Sequence, residues 1–240
     1  MRDVAAEAAE LPAPAQRVLV VACGALAREM LDILDRAGLD NVDVACLSAQ
    51  LHMRPERIAG AVATKIRQRQ DGYDRIFVAY ADCGTGGALD RVLAEPDLAG
   101  IERLPGAHCY ELYAGSRAFA ELADEEPGTF YLTDFLTRSF DALVIKGLGL
   151  DRHPDLLPIY FGNYRRLVYL AQSDDPALVE KARAAADRLD LEFELRRSGY
   201  GDLETFLVAG AAVAAAPEAA GTHGAADTSG AARRDLPGAA

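Results

Sequence analysis

The sequence is short of basic residues and has no long apolar run, and each shortage excludes a class of function. Only 25 lysines and arginines stand against 37 aspartates and glutamates, so the formal net charge is −12 at pH 7. A surface of that sign repels phosphate backbones, and we expect no nucleic-acid partner. No apolar run approaches the roughly 20 residues that cross a bilayer, and we expect no membrane partner.

Cysteines are also few, at positions 23, 46, 83 and 109. The first 16 residues lack the basic start and apolar stretch of a secretory signal, so a cytoplasmic location is expected. Cytosolic thiols are kept reduced. We therefore expect these cysteines to serve metal binding or catalysis rather than disulfides.

The distribution of large apolar side chains predicts one folded unit. Residues 1–16 lack periodicity and 213–240 are rich in alanine and glycine, so both ends are predicted to be disordered. Residues 17–212 are predicted to form a single α/β domain. Within it, short β-branched runs alternate with segments of helical periodicity. That alternation indicates a doubly wound, mostly parallel sheet with helices on both faces.

The predicted strands cover residues 17–23, 42–47, 75–81, 101–104, 129–133, 166–172 and 191–196. The predicted helices cover residues 25–37, 55–70, 87–94, 110–123, 134–146, 154–164, 175–189 and 202–208.

Four potential metal ligands follow four consecutive strands. Cys23 ends the first strand, His52 follows the second, Cys83 follows the third and Cys109 follows the fourth. In open parallel sheets, ligands bind outside the carboxyl ends of the strands. Thiolates with an imidazole suit zinc, and iron or an iron–sulfur centre is the alternative. Because free cysteine is often simply buried, a packing role is the competing interpretation, and we assign it to Cys46, inside a strand.

The segment 80–89 contains a glycine-rich turn after the third strand. We predict that Gly84, Thr85, Gly86 and Gly87 bind a small anion through their backbone, with Asp82 beside them as an acid or base. The pattern is neither a phosphate-binding loop with G-K-[ST] nor a G-x-G-x-x-G fingerprint. A plain tight turn explains the same glycines.

A second cluster lies at residues 106–111. His108 and Cys109 are adjacent and cannot both face one metal easily, so His108 is predicted to support the ligands from outside the coordination sphere. Glu111 is a candidate acid or base. The alternative is a carboxylate that only stabilises the start of a helix.

Several of these motifs together resemble the domain-of-unknown-function 1638 family. They are the strings at 22–26, 51–52 with 55–56, 82–87, 108–111 and 127–130, and the resemblance spans nearly all of 17–210. It implies that Cys23, His52, Cys83 and Cys109 are characteristic polar positions. Members of the family that it resembles are often found with corrinoid-dependent methyl-transfer systems. The resemblance therefore implies one-carbon metabolism, contact with a corrinoid, and a corrinoid protein or methyltransferase as partner.

Three functions remain open on the sequence. The first is a zinc-dependent enzyme acting on a small molecule, with transferase or hydrolase-like chemistry and methyl transfer as one reaction. The second is a non-catalytic accessory module that binds a small molecule or a corrinoid protein. The third is a metal-free thiol enzyme with Cys83 as nucleophile, whose pKa the helix start would lower.

Overall fold

The first strand, Val18–Cys23 (β1), is buried along its whole length, which requires covering layers on both of its faces. A computed structural model describes residues 16–213 and 234–235. In it, β1 is the centre of a five-stranded sheet with the order β4-β3-β1-β2-β8, in which every pairing is parallel. The other strands of this first sheet are Val42–Leu47 (β2), Arg75–Ala79 (β3), Glu102–Arg103 (β4) and Arg234–Asp235 (β8).

The second sheet has three parallel strands in the order β5-β6-β7. Its central strand is buried from Leu167 to Ala171, whereas the edge strand β7 carries exposed charged side chains. Exposed charges of that kind protect a sheet edge from further pairing. The strands are Thr129–Leu132 (β5), Arg166–Ala171 (β6) and Glu192–Arg197 (β7).

Nine α-helices connect and cover the described strands. They are Ala27–Ala37 (α1), Ile58–Arg69 (α2), Ala88–Leu93 (α3), Cys109–Ala114 (α4), Ser116–Glu125 (α5), Asp134–Arg138 (α6), Leu157–Phe161 (α7), Pro176–Leu189 (α8) and Asp202–Val213 (α9). Each sheet has its own hydrophobic core. Helix α9 follows the second sheet but packs on the first, where Leu203 and Leu207 are buried.

The predicted α/β class with parallel pairing is confirmed, and the strands divide into two sheets. Strand periodicity does not encode which strands become neighbours, so one sheet and two sheets give the same pattern. All seven predicted strands are present. Several predicted helices are shorter or broken: 110–123 is interrupted at Gly115, which has φ +79°, and 134–146 continues after α6 as a π-helix, Asp141–Ile145. In 154–164 a 3-10 turn precedes α7.

The predicted disordered ends, 1–16 and 213–240, lie outside the described residues except for Gln16, Val213 and the strand β8. The single domain over 17–212 stays a prediction. Within the part of the chain that the structure describes, no helix is long and apolar enough to cross a membrane.

Candidate functional site

Cys23 lies where β1 ends and the chain turns into a 3-10 helix, Gly24–Leu26. Its thiol is buried and accepts a hydrogen bond from the backbone N–H of Ala25 at 3.4 Å. The Cys23 Sγ is 3.8 Å from Nδ1 of His52. The first and second strand ends therefore bring a thiol and an imidazole into contact.

The His52 ring is oriented by two neighbours. Its Nδ1 lies 3.1 Å from the carbonyl oxygen of Ala49, and the ring stacks on Tyr80 with centroids 6.1 Å apart. A proton on Nδ1 is donated to that carbonyl, which leaves Nε2 as the nitrogen able to bind a metal. Desolvation lowers the pKa of His52, so the imidazole is neutral at pH 7.

Cys83 sits in a strained turn after β3. Its φ of +50° lies in the left-handed region, which is uncommon for a residue other than glycine and often marks functional sites. The Cys83 N–H donates to the carbonyl of Ala107 at 2.9 Å, and the Asp82 N–H donates to that of Gly106 at 3.1 Å. These two bonds tie the Cys83 turn to the loop that leads into Cys109.

The loop after β2 also packs against the Cys83 turn. A Cβ at Gly84 would lie 3.5 Å from the Pro55 side chain, so the two segments are in van der Waals contact. Desolvation is the largest cause that raises the pKa values of Cys23 and Cys109, and electrostatic interaction with Cys83 adds to it. The structure thus places Cys23 beside His52 and joins the Cys83 turn to the loop before Cys109, while a ligand set shared by all four residues stays a prediction.

Burial controls the ionisation of these thiols. It raises the pKa of Cys23 to about 12 and that of Cys83 to about 11, and it raises the pKa of Cys109 as well. The expectation that the helix start lowers the pKa of Cys83 is wrong, because desolvation outweighs the local backbone hydrogen bonds. Without a metal, Cys83 is a protonated thiol at pH 7 and a poor nucleophile.

The glycine-rich turn already donates hydrogen bonds to an anionic side chain within the same turn, the carboxylate of Asp82. The Thr85 hydroxyl donates to it at 2.7 Å, and the N–H groups of Gly86 and Gly87 donate at 3.1 Å and 2.8 Å. These bonds, that from Thr85 first, lower the pKa of Asp82. Asp82 therefore stays ionised and shapes the turn, and the binding of an external anion by Gly84, Thr85, Gly86 and Gly87 stays a prediction.

Glu111 and His108 lie at the start of α4. The Glu111 carboxylate folds back to accept a hydrogen bond from the N–H of Ala107 at 3.2 Å. It approaches Gly106 so closely that a Cβ there would lie 2.3 Å from Oε2. His108 is exposed, and after desolvation its electrostatic interaction with His52 also lowers the pKa of His52. Glu111 thus stabilises the loop before α4, while proton transfer by Glu111 and a supporting role for His108 stay predictions.

Three tyrosines around the thiols were missed by the sequence reasoning. Tyr80 is 1 % exposed and its hydroxyl lies beside the Cys23 thiol, yet within the described chain that oxygen has no hydrogen-bond partner of regular geometry. Tyr110 stacks on Tyr131 with ring centroids 5.5 Å apart. Tyr113 is buried; desolvation raises its pKa most, and electrostatic interactions with Cys109 and Cys23 are among the smaller causes. A buried unpaired hydroxyl is costly and often marks a place where a bound group or water belongs.

A second polar cluster, which we call the acidic junction, consists of Glu29, Asp134 and Arg138. It lies where α1 of the first sheet meets α6 of the second. Asp134 is 1 % exposed and Glu29 is 4 % exposed. Arg138 contacts the carboxylates of Asp134 at 3.3 Å and Glu29 at 4.0 Å. Because the desolvation of Glu29 exceeds the attraction of Arg138, the pKa of Glu29 is raised.

The site is not a closed metal cage. Among residues 16–213 and 234–235, no group of three or more His, Cys, Asp or Glu side chains is arranged to hold a metal ion. The Cys23 thiol contacts the His52 ring, but within these residues the two form no ligand group with Cys83 and Cys109. Cys46 is 7 % exposed in the core of the first sheet, which confirms its assignment to packing.

Fold and site together define an α/β protein in which a thiol and an imidazole, those of Cys23 and His52, are in contact at the carboxyl edge of a parallel sheet. The chain belongs to a family described as a protein of unknown function (DUF1638), which it matches over residues 46–207. The match includes His52, Cys83 and Cys109, whereas the Cys23 string and the rest of β1 lie before it. No curated protein and no solved structure matches the chain.

Proposed function

We propose that the chain is a metal-dependent enzyme whose centre is zinc held by thiolates and an imidazole. Cys23, His52 and Cys83 are the proposed ligands, with Cys109 as the fourth or as a free thiol that leaves a coordination position open. One observation carries the proposal: the Cys23 thiol contacts the His52 ring at the carboxyl edge of a parallel sheet, where backbone hydrogen bonds also join the Cys83 turn to the loop before Cys109. Iron is the alternative metal for the same donors.

The surrounding residues fit such an ion. Neutral His52 offers Nε2 when its Nδ1–H donates to Ala49, which is the usual orientation of a metal-binding histidine. The buried Tyr80 hydroxyl lies beside the Cys23 thiol. When bound, zinc would lower the pKa of a coordinated water or substrate thiol. Tyr80 and Tyr113 are buried in the same core as Cys23, while Asp82 and Glu111 fix the two loops that carry Cys83 and Cys109.

We extend the proposal to one-carbon chemistry, with methyl transfer as the reaction and a corrinoid protein or a methyltransferase as the partner. Its support is the family resemblance of the motifs around His52, Cys83 and Cys109. Zinc centres with thiolate ligands can hold a substrate thiol as a nucleophile. The zinc centre does not depend on this extension.

A second candidate is a non-catalytic module that binds a small molecule or a corrinoid protein. The absence of a preformed three-ligand group among the described residues favours it. The two candidates differ in whether the isolated chain takes up a metal through its thiols.

Zinc titration of the metal-free protein separates them. Cysteine binds zinc as thiolate, so we expect one zinc per chain to bind at pH 7 with the release of about two to three protons. Proton release is measured with a pH indicator in weak buffer, and cobalt(II) in place of zinc should add the ultraviolet absorption of sulfur-to-metal charge transfer. Zinc uptake without proton release would point to carboxylate ligands and would refute the thiolate centre.

A further inference from the structure

A cleft separates the loop after β2 from the π-helix that follows α6. It has a volume of about 430 Å³ and is lined by residues of the segments 48–57 and 142–147. The first segment belongs to the first sheet and the second segment belongs to the second sheet. A ligand in this cleft would therefore contact both halves of the molecule.

Two arginines, Arg54 and Arg57, line the cleft without acidic partners. In the described chain, neither forms an ion pair, whereas Arg67 pairs with both Glu95 and Asp97. Guanidinium groups bind carboxylate and phosphate through paired hydrogen bonds, so the two arginines offer donors to an anionic group in the cleft.

Apolar side chains form the remaining walls. Met53 lines the cleft and is 46 % exposed, which is high for a large apolar residue, and Leu51 and Leu143 line it as well. Apolar walls with a few polar groups are typical of small-molecule sites. The lining therefore fits a ligand that has an apolar body and an anionic end.

The cleft adjoins the contact between Cys23 and His52 through the chain itself. His52 lies between two lining residues, Leu51 and Met53, on one short 3-10 helix, Ala49–Met53. Its ring contacts the Cys23 thiol, while Arg54 and Arg57 face the cleft. The cleft and the proposed metal ligand are thus neighbours along the chain, although His52 itself does not line the cleft.

We propose that this cleft binds a small molecule carrying a carboxylate or phosphate group on an apolar body, with Arg54 and Arg57 on the anionic group. That the ligand is the substrate rests on the proposed function. The binding itself does not, because the cleft and its charges exist without a metal.

Calorimetric titration of the full chain with phenyl phosphate and with benzoate tests the proposal. We expect saturable binding of at least one probe at millimolar concentration or below, weakened at least fivefold by Arg54→Gln and by Arg57→Gln. The preferred probe identifies the anionic group. Inorganic phosphate should bind more weakly than phenyl phosphate if phosphate is preferred, because it lacks the apolar body.

The matched control is Arg117→Gln, since Arg117 is 94 % exposed on α5, away from the cleft. It should leave binding unchanged. No saturable binding of either probe, or equal affinities for the wild type and both cleft variants, would overturn the proposal. Zinc uptake by the same variants separates the two accounts: intact zinc binding with no anion binding refutes the cleft alone, and the reverse refutes the metal centre alone.

Discussion

Asp134→Ala is expected to lower the free energy of unfolding by about 3–5 kcal/mol, the largest effect of a single substitution that the structure indicates. The Asp134 carboxylate accepts hydrogen bonds from the Tyr169 hydroxyl at 2.6 Å and from the backbone N–H of Gln172 at 3.0 Å. Both donors are buried and would lose their partner, at about 1–3 kcal/mol each. Arg138 would also lose its closest acidic partner. Urea denaturation followed by circular dichroism measures the change.

Asp141→Ala is the matched control for this substitution. Asp141 lies one helical segment further along and pairs with Arg188, but its side chain is 73 % exposed. Exposed ion pairs contribute about 0–1 kcal/mol, so the control should be nearly neutral. If both variants lose the same free energy of unfolding, the buried hydrogen bonds of Asp134 are not what makes this residue important for stability.

Cys23→Ala is expected to weaken zinc binding by about 100-fold or more. The substitution removes a proposed thiolate ligand, the sulfur that contacts the His52 ring. The zinc titration should also show about one proton fewer released per metal bound. Competition with a chelator of known affinity measures the change in the dissociation constant.

Cys46→Ala controls for the loss of a neighbouring thiol. Cys46 pairs in register with Ala22 on β1, directly before Cys23, and lies in the core. Its removal should cost stability through a small cavity while leaving zinc affinity within about twofold, because no proposed ligand is lost. Equal losses of affinity in the two variants would show that Cys23 acts through packing rather than through coordination.

Most of the fold was predictable from the pattern of apolar residues in the strands. Buried parallel strands are nearly continuous apolar runs, and β1, β2 and β6 are read directly from such runs. The division into two sheets was not predictable from periodicity. The strands β4 and β5 are edge strands of different sheets, and nothing in their sequences indicates that they do not pair with each other. The break at Gly115 carried a signal, since glycine interrupts helices.

Sheet topology alone was enough to predict the region of the candidate site, but not its side-chain geometry. The rule that the carboxyl ends of parallel strands share one edge placed Cys23, His52, Cys83 and Cys109 in one region. Side-chain conformation lies beyond that rule, and so the capture of the Gly86 and Gly87 amides by Asp82 was not foreseen. The acidic junction was missed because Glu29 looks like an ordinary charged residue of an amphipathic helix, and only tertiary packing buries it.

Elemental analysis of the purified full chain tests the proposed metal centre most directly. The wild type should contain close to one zinc or iron per chain, and Cys83→Ser should contain much less after identical purification. The central claim is that sulfur atoms from separate strand ends share one ion with an imidazole. Wild-type protein that is isolated without metal and takes up neither zinc nor iron would contradict it.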